Sequence, residues 1–150
     1  MSPETDADEA LITTFGRLIE VQSALEQRLG RALEQQAGIP HSWFEVLLRI
    51  SRSDGGQVSM GTLAQQVALT TGGITRLIDR MIAARLVQRV PCPTDRRVSY
   101  AALTQEGRAT LGKAAKGHAT NLRQVFAGFT TDDLRTFDDL LDRLRGARIS

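Results

Sequence analysis

The chain has 150 residues, 41% of them hydrophobic, and no apolar run approaches the roughly 20 residues of a membrane-spanning helix, so it reads as one domain with a core and not as a membrane protein. Its start, Met-Ser-Pro-Glu-Thr-Asp-Ala-Asp-Glu, is acidic where a secretory signal is basic and then apolar, and the single cysteine, Cys92, has no internal partner; both fit a cytoplasmic protein. The net charge of +2 says little about partners, but its distribution says more: from Thr70 to Tyr100 six arginines (Arg76, Arg80, Arg85, Arg89, Arg96, Arg97) stand against two acids (Asp79, Asp95), a local excess of four positive charges. Such a patch reads either as a nucleic-acid site or as a solvated arginine face.

The first long segment, Asp8 to Gln36, places Leu11, Phe15, Leu18, Leu25 and Leu29 at alternating three- and four-residue steps, with Gln22 filling the gap between Leu18 and Leu25. That is one helix face, close to a coiled-coil seam, stopped by Gly38 and Pro40. A second helix is expected from about Ser42 to Arg52, with Trp43, Val46, Leu47 and Ile50 as its apolar stripe. Asp54-Gly55-Gly56 marks a turn, and Ser59 is suited to cap a short helix carrying Leu63, Ala64 and Val67. Leu69 and Thr70 break that helix, and Thr70 or Thr71 caps the next, whose stripe is Ile74, Leu77, Ile78, Met81 and Ile82.

Leu86 to Val90 reads as a strand and Val98 to Leu103 as its return. Pro91-Cys92-Pro93-Thr94-Asp95 is assigned to a turn or loop, because proline cannot donate to a ladder. Thr104 caps a helix running to about Phe126, and a last helix starts near Thr131 with Leu134, Phe137, Leu140, Leu141 and Leu144 on it. The expected order is α-α-α-α-β-β-α-α: mainly helical with a small β-hairpin.

The helix from Thr71 to Ala83 carries the functional signal. With its stripe in the core, the opposite face holds Thr71, Gly72, Thr75, Arg76, Asp79 and Arg80. Small residues at the N-terminal end let a helix backbone approach base edges, hydroxyls reach phosphates, and an arginine grips the O6/N7 pair of guanine. Gly72 and Gly73 each cost about 1 kcal/mol of helix propensity relative to alanine. Close approach to another surface offsets that cost; the plainer reading is a loosened helix start. The short connection from the preceding helix makes the pair a helix-turn-helix. The hairpin beside it brings Arg96 and Arg97 to phosphates or a minor groove, with Asp95 holding one of them by a charge-assisted hydrogen bond or simply starting a turn.

The run Leu63-Ala64, Leu69-Thr70-Thr71-Gly72-Gly73-Ile74-Thr75-Arg76-Leu77-Ile78-Asp79-Arg80-Met81, Leu86-Val87, Asp95-Arg96-Arg97 and Leu103-Thr104 resembles the MarR (multiple antibiotic resistance regulator) family. The element order is similar over nearly the whole chain. The resemblance implies a homodimeric winged helix-turn-helix protein, 1–150 forming one domain, with 8–36 and 105–148 as dimerisation helices and 42–104 as the DNA-binding lobe. It implies a bacterial or archaeal, cytoplasmic regulator, in particular a repressor, on a pseudo-palindromic operator in double-stranded DNA. Thr70, Thr71, Gly72, Gly73, Thr75, Arg76, Arg80, Arg96 and Arg97 would touch DNA, Arg97 in the minor groove with Asp95 as its support. Many members are released by small phenolic or other aromatic effectors, and an effector cleft near the second helix would involve Arg17, His41 and Trp43. Trp43 also reads as a core residue, and His41 as a residue that merely precedes a helix.

The remaining candidates are weaker. Arg89, Arg96 and Arg97 lie near enough to Cys92 to make its thiol reactive, although a tolerated loop residue explains it as well. His41 and His118 are far apart in sequence, without metal-ligand spacing, and read as surface histidines. No catalytic or phosphate-binding motif is present, so no cofactor, metal or enzymatic activity is expected. The reading from another class is a winged-helix protein-interaction module without sequence-specific DNA binding.

Overall fold

The computed structural model describes residues 3–67 and 71–149. The chain forms two units, one running through His118 and one from Ala119 onward. In the first, α1 (Pro3–Ala37) is longer at both ends than its apolar repeat predicts. Only its C-terminal end enters the core, through Leu33, and Leu11, Ile12, Phe15 and Ile19 are exposed. The helix ends at Gly38, whose φ of 73° is the left-handed conformation that favours glycine. Pro40 precedes α2 (His41–Arg52), which buries Phe44, Val46, Leu47 and Ile50. Trp43, expected on the buried stripe, is half-buried against the edge of the core, and Phe44 takes the interior position.

A single 3-10 turn, Asp54–Gly56, reverses the chain with Gly55 and Gly56 at φ 67° and 70°. The next three residues, Gln57–Ser59, form a strand, β1, which the hydrophobic pattern does not reveal. The Ser59 hydroxyl then caps α3 (Met60–Gln66), accepting from the Thr62 amide at 3.2 Å. In α4 (Thr71–Ala83), Ile74, Leu77, Ile78 and Met81 are buried and Ile82 is half-buried, as the 3.6-residue period requires. Each such side chain contributes roughly 1.5–3 kcal/mol on burial.

β2 (Val87–Pro91) and β3 (Ser99–Leu103) pair antiparallel with Val87 opposite Leu103 and Pro91 opposite Ser99. β1 adds to the other side of β3, with Val58 opposite Ala101, so the expected hairpin is a three-stranded sheet of order β1-β3-β2. Pro91 belongs to the ladder rather than the loop. It ends an edge strand, where a missing N–H costs no bond.

The turn out of α4 and the start of α5 meet at the Leu86 carbonyl, where the chain enters β2. Arg85, at a left-handed φ of 64°, turns the chain out of α4. The Thr104 hydroxyl donates to the Arg85 carbonyl at 2.6 Å and accepts from the Gly107 amide at 2.9 Å, capping α5 (Gln105–Val125). A Cβ on Gly107 would lie 2.0 Å from the Leu86 carbonyl oxygen, so only glycine lets α5 start this close to β2.

In the second unit, α6 (Thr131–Arg145) begins with a capping box: the Thr130 hydroxyl accepts from the Asp133 amide at 3.0 Å and the Asp133 carboxylate accepts from the Thr130 amide at 2.9 Å. Phe126 packs edge-on against Phe129 and tilted against Phe137, with ring centroids 5.6 and 6.2 Å apart. Leu134, Phe137, Leu140, Leu141 and Leu144 remain exposed along α6.

Candidate nucleic-acid interface

The core packing of α4 fixes what the helix presents outward. Gly72, Arg76, Asp79 and Arg80 are exposed, and Gly73 and Thr75 are half-buried. Thr70 lies outside the described residues, and Thr71 is placed only as the first residue of the helix. Arg76 folds back one turn toward Gly72: a Cβ added there would meet Arg76 Nη1 at 3.6 Å and nothing else within 4 Å. The glycine leaves the first turn bare and gives the Arg76 guanidinium free space to swing.

The wing tip is organised by Asp95. Its Oδ1 accepts from the Arg97 amide at 3.0 Å and from Arg97 Nε at 3.2 Å. Those bonds hold the Asp95 carboxyl below the usual carboxylate range. They aim a guanidinium that is 91% exposed. Cys92 donates its amide to the Val98 carbonyl, closing the loop, and its thiol lies 3.4 Å from Thr94 Oγ1. Hydrogen bonding to Thr94 draws that thiol below its ordinary value.

One further contact joins the two basic elements. Arg89 on β2 donates to Asp79 on α4 at 2.8 Å. Sequence reading counted both residues in the arginine-rich stretch without connecting them, because their ten-residue separation crosses a helix, a turn and a strand. The available signal was an acid on an otherwise neutral or basic helix face. Among the described residues, Arg76, Arg80, Arg85 and Arg96 have no ion-pair partner.

The residues expected to share an effector cleft do not form one site. A cleft of about 510 Å³ opens beside α2, lined by Gln22, Glu26, His41, Glu45, Arg49 and Leu77 among others. His41 belongs to it; Arg17 and Trp43 do not. Trp43 lies two positions, about 200° of helix, from His41 and packs on the core, while Arg17 sits in a shallow groove with Asp6 and Glu9. Arg49 was missed. Its Nε is buried and makes no hydrogen bond. The two histidines, read from sequence as unrelated, lie close together: their ring centroids are 6.3 Å apart, and His118 packs on Phe44 at 5.1 Å. Among the described residues no group of three or more His, Cys, Asp or Glu side chains is arranged to hold a metal ion.

A helical core, a short helix leading into an exposed basic one, and a three-stranded sheet whose loop carries arginines together define a winged helix-turn-helix protein. Residues 37–98 match the family model described as the MarR family. The chain is 33% identical over 90 residues to the HTH-type transcriptional regulator YsmB of Bacillus subtilis, a match spanning 60% of this chain and 62%, less than two thirds, of that protein. It is 26% identical over 134 residues to the multiple antibiotic resistance protein MarR of Salmonella typhimurium, covering 89% of this chain and 92% of that one. Among solved structures, Sco3205 from Streptomyces coelicolor, a MarR family transcriptional regulator in complex with DNA, is similar with a TM-score of 0.81 and 29% identity over 93% of this chain and 86% of that chain. In sequence over residues 37–98 and in fold over nearly its whole length, the chain is similar to the MarR family of transcriptional regulators.

Proposed function

We propose that the protein is a sequence-specific repressor that binds double-stranded DNA as a homodimer in the cytoplasm and is released by a small aromatic or phenolic acid. The observation that carries the reading is the outward face of α4: a bare glycine turn, Thr75, and the unpaired, exposed Arg76 and Arg80, beside a wing whose Arg97 is aimed by Asp95. In this reading α4 enters a major groove, Arg76 reads a base edge, and Arg80, Arg96 and Arg97 bind phosphates or the minor groove. Half-sites lie roughly 10 base pairs apart, one helical turn.

The exposed apolar stripes of α1 and α6 support a homodimer, since a monomer rarely leaves such rows in water. The cleft beside α2 supports an acidic effector. It has the size of a small-molecule site, an apolar wall at Val46, Val67 and Leu77, and a guanidinium at Arg49. Because Gln66 and Leu77 line it, an occupant would touch both helices of the helix-turn-helix.

The test is selection of bound fragments from sheared genomic DNA of the source organism, run beside Arg76→Ala. The native protein is expected to enrich a palindromic site. Arg76→Ala is expected to lose about 1–3 kcal/mol on that site and little on unrelated duplex. Equal losses on every sequence would remove base reading from Arg76. No enrichment by a folded, dimeric protein at low salt would favour the protein-interaction reading.

A further inference from the structure

The Asp79–Arg89 pair has a composition that DNA binding alone does not explain. Asp79 stands on the exposed face of α4, three residues after Arg76 and next to Arg80. A free carboxylate there would repel every phosphate brought near the helix. Arg89 sits on an edge strand and shares its face of β2 with the buried Val87, two residues earlier, so its side chain leaves the sheet on the α4 side. Its guanidinium ends 2.8 Å from Asp79 Oδ1, with both side chains solvent-accessible. Neither group is buried deeply enough for the pair to be a core feature, and exposed pairs add little to stability. What the contact does change is the number of arginines free to meet a phosphate.

The geometry points to Asp79 as a specificity-determining residue: it withholds Arg89 from the DNA backbone and ties the wing to the recognition helix, so that affinity for unrelated sequence stays low. This role rests on the DNA-binding reading given above. A cation released onto the backbone adds sequence-independent affinity and makes binding more salt-sensitive, by about 0.9 in the log–log salt slope for each phosphate neutralised. A cation held by Asp79 adds neither, and a wing fixed against α4 keeps its arginines in one register with the groove.

The test measures duplex affinity across a salt series for the native protein, Asp79→Asn, Arg89→Gln and the double variant. The probes are the genomically selected site and a duplex of scrambled sequence, and thermal melts check folding. Asp79→Asn is expected to bind scrambled DNA roughly fivefold to tenfold tighter at low salt, with a slope steeper by about one, and to lose discrimination by a similar factor. Arg89→Gln, which leaves the carboxylate unopposed, is expected to weaken both probes. The double variant, with neither free cation nor free carboxylate, is expected to return the slope to the native value. A purely structural brace would lower the melting temperature of Asp79→Asn and weaken binding, but it would not steepen the slope. Native salt-dependent binding with an unchanged slope and unchanged discrimination in Asp79→Asn overturns the role of the pair alone. No salt-dependent duplex binding by the native protein overturns the DNA reading and this role together.

Discussion

His118 shows how one side chain links packing to pH. Its ring lies against Phe44, its Nδ1 is buried without a hydrogen-bond partner, and burial, reinforced by His41, lowers its pKa from 6.5 against the opposing effect of Glu45. The unfolded chain therefore takes up this proton before the folded one does. The stability associated with neutral His118 is complete above about pH 6.5 and is lost as pH falls through the lower folded value. The melting temperature is expected to drop between about pH 8 and pH 5, and His118→Phe, which keeps a ring against Phe44, is expected to flatten that drop. An equally steep drop in both proteins would assign the effect to another group. Asp95 acts in a separate window, since its carboxyl titrates below 3.8 and its hold on Arg97 is lost only there. The histidine pair was invisible in the sequence for a simple reason. His41 and His118 lie far apart in sequence, and their proximity depends on how α5 crosses the start of α2.

At the scale of elements, the junction of α4, β2 and α5 has the tightest tolerance in the described structure. Gly107 has no room for a side chain because the Leu86 carbonyl oxygen, which accepts the Thr104 amide at 3.1 Å, occupies the space. Gly107→Ala is expected to destabilise by about 1–3 kcal/mol, since either the strand or the helix must shift. Gly112 lies on the same helix with nothing within 4 Å of its missing Cβ. Gly112→Ala is expected to stabilise by up to about 1 kcal/mol through helix propensity. Opposite signs in the denaturant midpoints of the two variants would confirm the close approach; equal signs would refute it. The helices themselves were legible because their apolar residues repeat every three and four positions, and the starts of α3, α4, α5 and α6 fall within a residue of their expected positions. β1 was not legible. Three residues, Gln57–Ser59, give no alternation, and their partner lies beyond the whole helix-turn-helix. Pro91 misled in the opposite direction, because the rule against proline in a ladder does not bind on an edge strand. The outward face of α4 was legible because five core-facing positions leave only one face over. The Asp79–Arg89 contact was not, because helical and strand periods say nothing about pairs that cross between elements.

For the whole molecule, the proposed homodimer sets an expectation that the monomer's surface already carries. Leu11, Phe15 and Ile19 on α1, and Phe137, Leu140 and Leu144 on α6, are exposed in the single chain. If a second copy covers them, folding and association are linked, and the melting temperature rises with protein concentration. Phe15→Glu/Leu140→Glu is expected to abolish that dependence and to lower the melting temperature at every concentration. A concentration-independent native melt would leave these stripes without the proposed occupant. The pairing of β1 with β3 has a consequence of another kind. Val58 and Ala101 face each other across the ladder, and everything that would meet DNA (α3, α4, β2 and the wing loop) is strung between them. Closing a loop of that length costs about 3 kcal/mol of chain entropy before any contact within it is counted. The smallest strand is therefore a clasp: once it is shut, that entropy is already spent, and every contact made inside the loop joins a chain whose ends are held together.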